Sequence, residues 1–128
     1  MKTVKPRENK VEKAVVKWMT ARGWRAKRNN NGRMVARSGQ VITLGDPGFP
    51  DWTFWRPLRP FTKWSCIQIC HIEVKRPGAQ PTKLQCEKIA ARNAEGQFGT
   101  WVDSVEILEG WYHGIGLQRF DLVEQLTK

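Results

Sequence analysis

Residues 66–75 read CIQICHIEVK and carry the strongest strand signal in the chain. Isoleucine and cysteine dominate this run, and Pro77 with Gly78 ends it, a pattern typical of a central and mostly buried strand. Two of its residues, Glu73 and Lys75, are nevertheless charged. Because a buried charge needs a compensating partner, the run predicts both a sheet and a polar site within it.

Weaker strand and turn signals precede this run. The candidate strands are residues 24–28, a hairpin of residues 34–36 and 41–44, and an aromatic strand at residues 52–55 that follows the loop 45–50. Residues 56–64 contain two prolines, and we therefore expect an exposed connection there.

Helical signals flank the predicted strands. Residues 8–22 have apolar side chains at helical spacing before Gly23, and residues 81–95 have Thr82 near the start and Gly96 after the end. We expect a strand at residues 98–102, a further strand at residues 105–108 and a short closing helix at residues 120–126. The order predicts an α/β fold with one mixed sheet and helices packed on it.

The composition indicates a single basic domain of 128 residues. The chain has 22 Lys and Arg against 12 Asp and Glu, a formal charge of +10. Residues 1–64 carry 15 of these basic residues and four acids, so the charge is concentrated in the N-terminal half. Such a surface suits a polyanion, and nucleic acid is the favoured partner, although a basic helix that only aids solubility would look similar.

Membrane and secreted classes are disfavoured by the sequence. No apolar run approaches the roughly 18 to 20 residues of a membrane span, and the basic N-terminus is not followed by an apolar segment. The odd number of cysteines, three, fits a reducing compartment. We therefore expect an intracellular, cytoplasmic protein, in a cell or a virus-infected cell, with no membrane partner.

Asp51, Glu73 and Lys75 are the residues that could do chemistry. Side chains two residues apart on a strand share a face about 7 Å apart, so Glu73 and Lys75 address one site. Asp51 reaches it if the strand 52–55 pairs beside residues 66–75. Two carboxylates and the Val74 main-chain carbonyl are hard ligands that suit Mg²⁺ or Mn²⁺. An ordinary ion pair beside a turn is the simpler alternative.

Five ordered motifs carry a family resemblance. They are ENKVE at residues 8–12, RNNNG at 28–32, GFPD at 48–51, EVKRPG at 73–78 and PTKLQ at 81–85. Together, over about residues 8–105, they resemble the PD-(D/E)xK nucleases and, more narrowly, their VRR-NUC branch. The resemblance implies a restriction-endonuclease-like core, a central mixed sheet flanked by helices in the order αβββαβ, with a C-terminal extension.

The resemblance also implies roles for individual residues. Asp51 and Glu73 would ligate the metal with the Val74 carbonyl, and Lys75 would act at the nucleophile and the transition state. Gln85 would support Lys75 or the phosphate. A glutamate of the first helix would complete the site, directly or through water. Spacing favours Glu8, with Glu12 one turn later as the competitor.

Basic and aromatic residues around the motifs are candidates for DNA contact. The basic candidates are Arg28, Arg56, Arg59, Lys63, Arg76, Lys83, Lys88 and Arg92. Trp55 and Trp64 flank the connection 56–64 and could stack on unpaired bases. Solvated surface charge is the competing interpretation for the basic residues of the second helix.

These expectations combine into one functional hypothesis. The resemblance implies a Mg²⁺- or Mn²⁺-dependent DNA endonuclease that leaves 5′-phosphate and 3′-hydroxyl ends. Small stand-alone members of the branch resemble Holliday junction resolvases, which implies branched DNA as substrate, a homodimer, and a place in DNA repair or recombination. A structure-nonspecific nicking nuclease and a non-catalytic basic DNA-binding module are the alternatives.

Overall fold

The computed structural model describes residues 5–29, 32–58 and 66–121, and for residues 5–9 and a few strand positions it describes the backbone only. The nine elements follow in chain order: α1 Lys5–Thr20, β1 Arg25–Arg28, β2 Gly32–Val35, β3 Val41–Leu44, β4 Trp52–Leu58, β5 Cys66–Val74, α2 Lys83–Ala94, β6 Phe98–Val102 and α3 Val105–Gly114. The coarse prediction of an α/β fold with a mixed sheet and flanking helices is confirmed.

The main sheet has four strands in the order β1-β4-β5-β6. β4 pairs antiparallel with both β1 and β5, whereas β5 and β6 are parallel and are joined through α2. β2 and β3 form a separate antiparallel hairpin. β3 covers the predicted residues, whereas β2 begins two residues before the strand predicted at residues 34–36. β5 is therefore flanked on both sides, as its apolar sequence predicts.

The two faces of this sheet differ in what covers them. Phe54, Cys70, Ile72 and Val74 point to one face and join the main core with side chains of α1 and α3. The alternate residues of β5 point to the other face, where α2 packs. Gly99 of β6 permits this packing, because a Cβ atom there would lie 3.1 Å from the Ile89 carbonyl oxygen of α2.

The prediction of a strand at residues 105–108 is wrong, because these residues begin α3. Ser104 caps this helix by accepting a hydrogen bond from the Ile107 N–H at 3.1 Å. Leu108, Tyr112 and Leu117 are fully buried in the main core, which thus extends beyond residue 105. The predicted closing helix at 120–126 is helical at residues 120 and 121, and its remainder lies outside the described residues.

The prediction of an exposed connection at residues 56–64 is wrong at its start, because β4 continues through Leu58. Arg56 is 3% exposed and belongs to a buried group that we call the Arg56 cluster, formed with Trp24, Tyr112 and Asp121. Prolines are tolerated near a strand end where a ladder bond is dispensable. Residues 59–65 lie outside the described part of the chain.

None of the helices in the described part of the chain has both the length and the apolar character needed to cross a membrane.

Candidate active site

The pairing of β4 with β5 brings the predicted acids together. Trp52 pairs with Ile72, so Asp51 enters β4 opposite Glu73. The Val74 N–H donates to Asp51 Oδ2 at 3.4 Å, and Lys75 Nζ lies 3.5 Å from Glu73 Oε2. We call Asp51, Glu73, Lys75 and Gln85 the acid cluster.

The loop before Asp51 is held from two sides. Gly48 has a φ of +80° and packs so closely on α2 that a Cβ atom would lie 2.6 Å from Leu84 Cγ. Both features require glycine at this position. Asn29 fixes the other side, because its N–H donates to the Asp51 carbonyl at 2.7 Å and its side-chain amide donates to the Pro50 carbonyl at 2.9 Å. The backbone of Asp51 is therefore positioned by contacts from β1 and α2.

Gln85 has two roles at once. Its N–H donates to Thr82 Oγ1 and its Oε1 accepts from the Thr82 N–H, which together form the capping box of α2. Its Nε2 then donates to Glu73 Oε2 at 2.9 Å. A glutamate could cap the helix equally well, but it could not donate to a carboxylate. The contact joins Gln85 to Glu73, whereas the sequence predicted support of Lys75 or of the phosphate.

The Glu73 carboxylate is buried with one oxygen unsatisfied. The residue is 3% exposed, and Glu73 Oε1 receives no hydrogen bond from any described residue. Burial and the nearby Asp51 carboxylate raise the pKa of Glu73 to about 8, against the opposing effect of Lys75. Burial also raises the pKa of Asp51, and Glu12 adds to this effect. The protein thus places two acids side by side with too few donors and cations among the described residues to keep both of them charged.

Glu12 is the first-helix glutamate that the structure brings to this site. It is 7% exposed, its Oε2 accepts from Trp52 Nε1 at 3.1 Å, and it also accepts from Arg28. The other predicted glutamate, Glu8, has a side chain that lies outside the described residues. Trp52 is a site residue that the sequence assigned only to a strand. The sequence feature that could have identified Trp52 as a site residue is its position directly after Asp51.

His71 shares the sheet face of Glu73 but is occupied elsewhere. Its Nδ1 pairs with Thr53 Oγ1 at 3.1 Å, and its Nε2 contacts Gln97 Oε1. Thr53 in turn accepts a bond from the Asn29 amide at 2.9 Å. Burial lowers the pKa of His71, which favours the neutral ring. The histidine therefore links β5 to the turn that holds Asp51.

The donors of the acid cluster fit a hard divalent cation. Asp51 and Glu73 supply carboxylate oxygens, and the buried Glu73 Oε1 has no partner within residues 5–29, 32–58 and 66–121. The Val74 N–H points to Asp51, and because the N–H and C=O of a strand residue share a side, its carbonyl is directed the same way. Within the described residues no group of three or more His, Cys, Asp or Glu side chains is arranged to hold an ion. Such a site would leave several positions to water, as Mg²⁺ commonly does.

The predicted phosphate-binding residues divide into three groups. Arg28 lies at the site, because it pairs with Glu12, and it is exposed. Arg76 follows Lys75 in the chain, and Lys83 is an exposed residue at the start of α2. Lys88 pairs with Asp46 at 2.8 Å, and Arg92 pairs with Glu95 and lies over the Phe49 ring. These two residues therefore brace the loop before Asp51. Arg59, Lys63 and Trp64 lie outside the described residues.

The prediction that Arg56 contacts DNA is wrong. Its guanidinium donates to Gln68 Oε1 at 2.8 Å, to the Arg22 carbonyl at 2.9 Å and to the Leu117 carbonyl at 3.2 Å, and it pairs with Asp121. With its donors committed inside the fold and the side chain 3% exposed, Arg56 is inaccessible to a phosphate.

No protein-family model, curated protein or solved structure gives a significant match to the chain. The functional proposal therefore depends on the site geometry and on the motif pattern of the sequence.

Proposed function

We propose that the protein is a divalent-metal-dependent endodeoxyribonuclease with a restriction-endonuclease-like core of the VRR-NUC type. One observation carries the proposal: the buried Glu73 carboxyl group has an oxygen with no donor among the described residues, and it lies beside Asp51 and within an ion-pair distance of Lys75. Without a cation the two acids repel each other and one of them must keep a proton, as the raised pKa of Glu73 indicates. A divalent cation bound to both carboxylates would remove that repulsion and fill the open position at Glu73 Oε1.

The residues of the acid cluster and two of their neighbours would have different roles in catalysis. Asp51, Glu73 and the Val74 carbonyl would hold Mg²⁺ or Mn²⁺, and Glu12 would reach the same ion through water. Bound there, the ion would lower the pKa of a coordinated water and neutralise charge on the scissile phosphate. Lys75 would stabilise the negative charge that develops on the phosphate oxygens. Gln85 holds Glu73 in place through its amide.

The net reaction is hydrolysis of a phosphodiester bond. The oxygen of a water forms a bond to phosphorus, the bond from phosphorus to the 3′-oxygen breaks, and a proton passes to that oxygen. The products carry 5′-phosphate and 3′-hydroxyl ends. The charge of +10, concentrated in residues 1–64, supports a nucleic-acid substrate because it attracts the phosphate backbone.

Branched DNA cut by a homodimer is the substrate class we favour, since the motif pattern resembles that of small stand-alone resolvases. Two sites related by a two-fold axis could cut symmetric strands of a junction. A DNA-binding module without catalysis shares the basic charge, and salt-sensitive DNA binding therefore does not separate the two functions. Cleavage does.

The test compares cleavage of four-way junctions, flaps, duplexes and single strands by the wild type, Asp51→Ala and Lys75→Ala, each with Mg²⁺ and with EDTA. Arg119→Ala is the matched control, because it removes an exposed positive charge that has no hydrogen bond or ion pair to the acid cluster among the described residues. We expect cleavage by the wild type and the control with Mg²⁺ only, and a loss of about a hundredfold or more in the two site variants.

Two results would contradict the proposal. If the wild type binds DNA but cleaves none of the four substrates with Mg²⁺ or Mn²⁺, the protein is a binding module. If Asp51→Ala retains full activity, the acid cluster is not the site of hydrolysis.

A further inference from the structure

A groove of about 490 Å³ runs between α1 and β4. Its lining consists of Glu12, Lys13, Val16, Lys17, Thr20 and Trp52. The helix residues recur at intervals of one turn, so they form a continuous wall, and the half-buried Trp52 indole forms the side toward the sheet. The volume lies within the range of about 300 to 1,000 Å³ in which proteins bind small organic groups.

The groove meets the acid cluster at the start of β4, because Trp52 of the groove lining directly follows Asp51 in the chain. Glu12 belongs to its lining and accepts a hydrogen bond from Trp52 Nε1 at 3.1 Å. A ligand seated in the groove would therefore lie next to whatever the acid cluster holds.

The lining combines an aromatic and aliphatic interior with a positive rim. Val16 and Trp52 supply the apolar surface, together with the methylene stems of Lys13 and Lys17. The two ammonium groups are on exposed side chains, and the Arg28 guanidinium lies 5.9 Å from the centre of the Trp52 ring. A flat uncharged ring attached to a phosphate matches this surface. A nucleotide has that chemistry, and only an unpaired one can present its base to a groove.

We infer that the groove binds an unpaired nucleotide of the DNA strand next to the phosphate held by the acid cluster. This inference rests on the proposed function, because it assumes that the acid cluster holds the scissile phosphate of the same strand. The base contacts Trp52 and Val16, and its phosphates contact Lys13 and Lys17. The site thereby selects DNA with an unpaired nucleotide at the cleavage position over continuous duplex.

The experiment measures binding without cleavage. The probe is an oligonucleotide duplex with one unpaired 2-aminopurine at its end, whose fluorescence falls on stacking, and a blunt duplex of the same sequence is the reference. Both are titrated in EDTA with the wild type, Lys13→Gln/Lys17→Gln and Val16→Glu. Arg25→Gln/Arg119→Gln is the control, because it removes two exposed positive charges that do not line the groove.

We expect the wild type and the control to bind the unpaired probe about fivefold to a hundredfold more tightly than the blunt duplex, the range that one stacked base supplies. Both groove variants should reduce this preference to less than about twofold, with 2-aminopurine quenching lost. Because Lys13 and Lys17 are exposed, their double variant should fold normally and carries the test even if Val16→Glu does not fold.

Equal binding of the two probes by the wild type would overturn the inference, as would an unchanged preference in the double lysine variant. The groove could instead bind a second copy of the chain. In that case the groove variants would lose self-association in sedimentation without a change in DNA preference, and this result also overturns the inference. Failure of the proposed function gives a different result. A wild type that prefers the unpaired probe but shows no Mg²⁺-dependent cleavage would contradict the nuclease function and leave the groove assignment intact.

Discussion

The Arg56 cluster and the acid cluster are two buried charged groups on opposite faces of one sheet, and they differ in how their charges are satisfied. Arg56 donates to two carbonyls, to Gln68 and to Asp121, and its guanidinium lies 4.2 Å from the centre of the Trp24 ring. Glu73 has a buried oxygen that receives no hydrogen bond from the part of the chain that the structure describes, and its pKa is raised. The Arg56 cluster, whose hydrogen bonds are made within the fold, has a structural role. The acid cluster has too little positive charge of its own, and we therefore expect it to bind an external cation.

Breaking the Arg56 cluster should have the largest effect on stability. Arg56→Met leaves Asp121 and two carbonyls without their buried partner, which we expect to reduce the free energy of unfolding by about 3 to 5 kcal/mol. Chemical denaturation measures this value. Lys88→Met is the matched control, because it breaks a partly exposed ion pair and should cost about 1 kcal/mol or less. Equal losses of unfolding free energy in the two variants would show that the buried Arg56 contacts stabilise the protein no more than the Lys88–Asp46 ion pair does.

Gln85→Glu should damage the acid cluster while leaving the helix cap intact. The new carboxylate can still accept from the Thr82 N–H, but it replaces a donor to Glu73 by a repelling charge. We expect cleavage to fall about tenfold to a hundredfold, in line with the loss of a hydrogen bond to a charged group. Circular dichroism and the melting temperature in Mg²⁺ check that α2 persists. Unchanged cleavage would show that the contact has no role in the reaction.

The acid cluster should also make stability depend on pH when no divalent ion is present. Because the folded protein raises the pKa of Glu73 from 4.5 to about 8, it binds this proton more tightly than the unfolded chain does. The contribution of Glu73 to stability is therefore greatest below about pH 4.5 and is lost progressively as the pH rises to about 8.

Glu73→Gln removes that titration. In EDTA at pH 8.5 the variant should melt at least about 4 °C above the wild type, the shift that about 1 kcal/mol produces in a small domain. At pH 4.5 the difference should vanish. A variant that melts below the wild type at both pH values would contradict the account of Glu73 as a destabilising charge.

The sequence predicted much of the acid cluster because its main features are local. The spacing of Glu73 and Lys75 places them on one face of any regular strand, and the order of the strands places Asp51 beside them. Gln85 follows from the motif pattern. The identity of its contact does not, because the capping geometry that aims the amide at Glu73 depends on how α2 packs on the sheet.

The errors occurred where distant residues decide the outcome. Arg56, followed by Pro57, looked like a loop residue, and the partner that neutralises it is Asp121, far along the chain. The error at α3 was avoidable, since Ser104 is a good helix cap and Leu108 and Tyr112 have helical spacing. Trp52 was assigned to a strand correctly, but no local pattern shows that its indole binds Glu12 and lines a groove.

The binding of Mn²⁺ tests the central claim most directly, because it asks whether the unsatisfied charge of the acid cluster has a cation as its partner. Electron paramagnetic resonance of free Mn²⁺ during titration of the protein measures the number of bound ions. We predict one ion on the wild type and on Arg119→Ala, and a loss of at least about tenfold in affinity in Asp51→Asn and Glu73→Gln. Equal binding by all four proteins, or none by the wild type, would contradict the account.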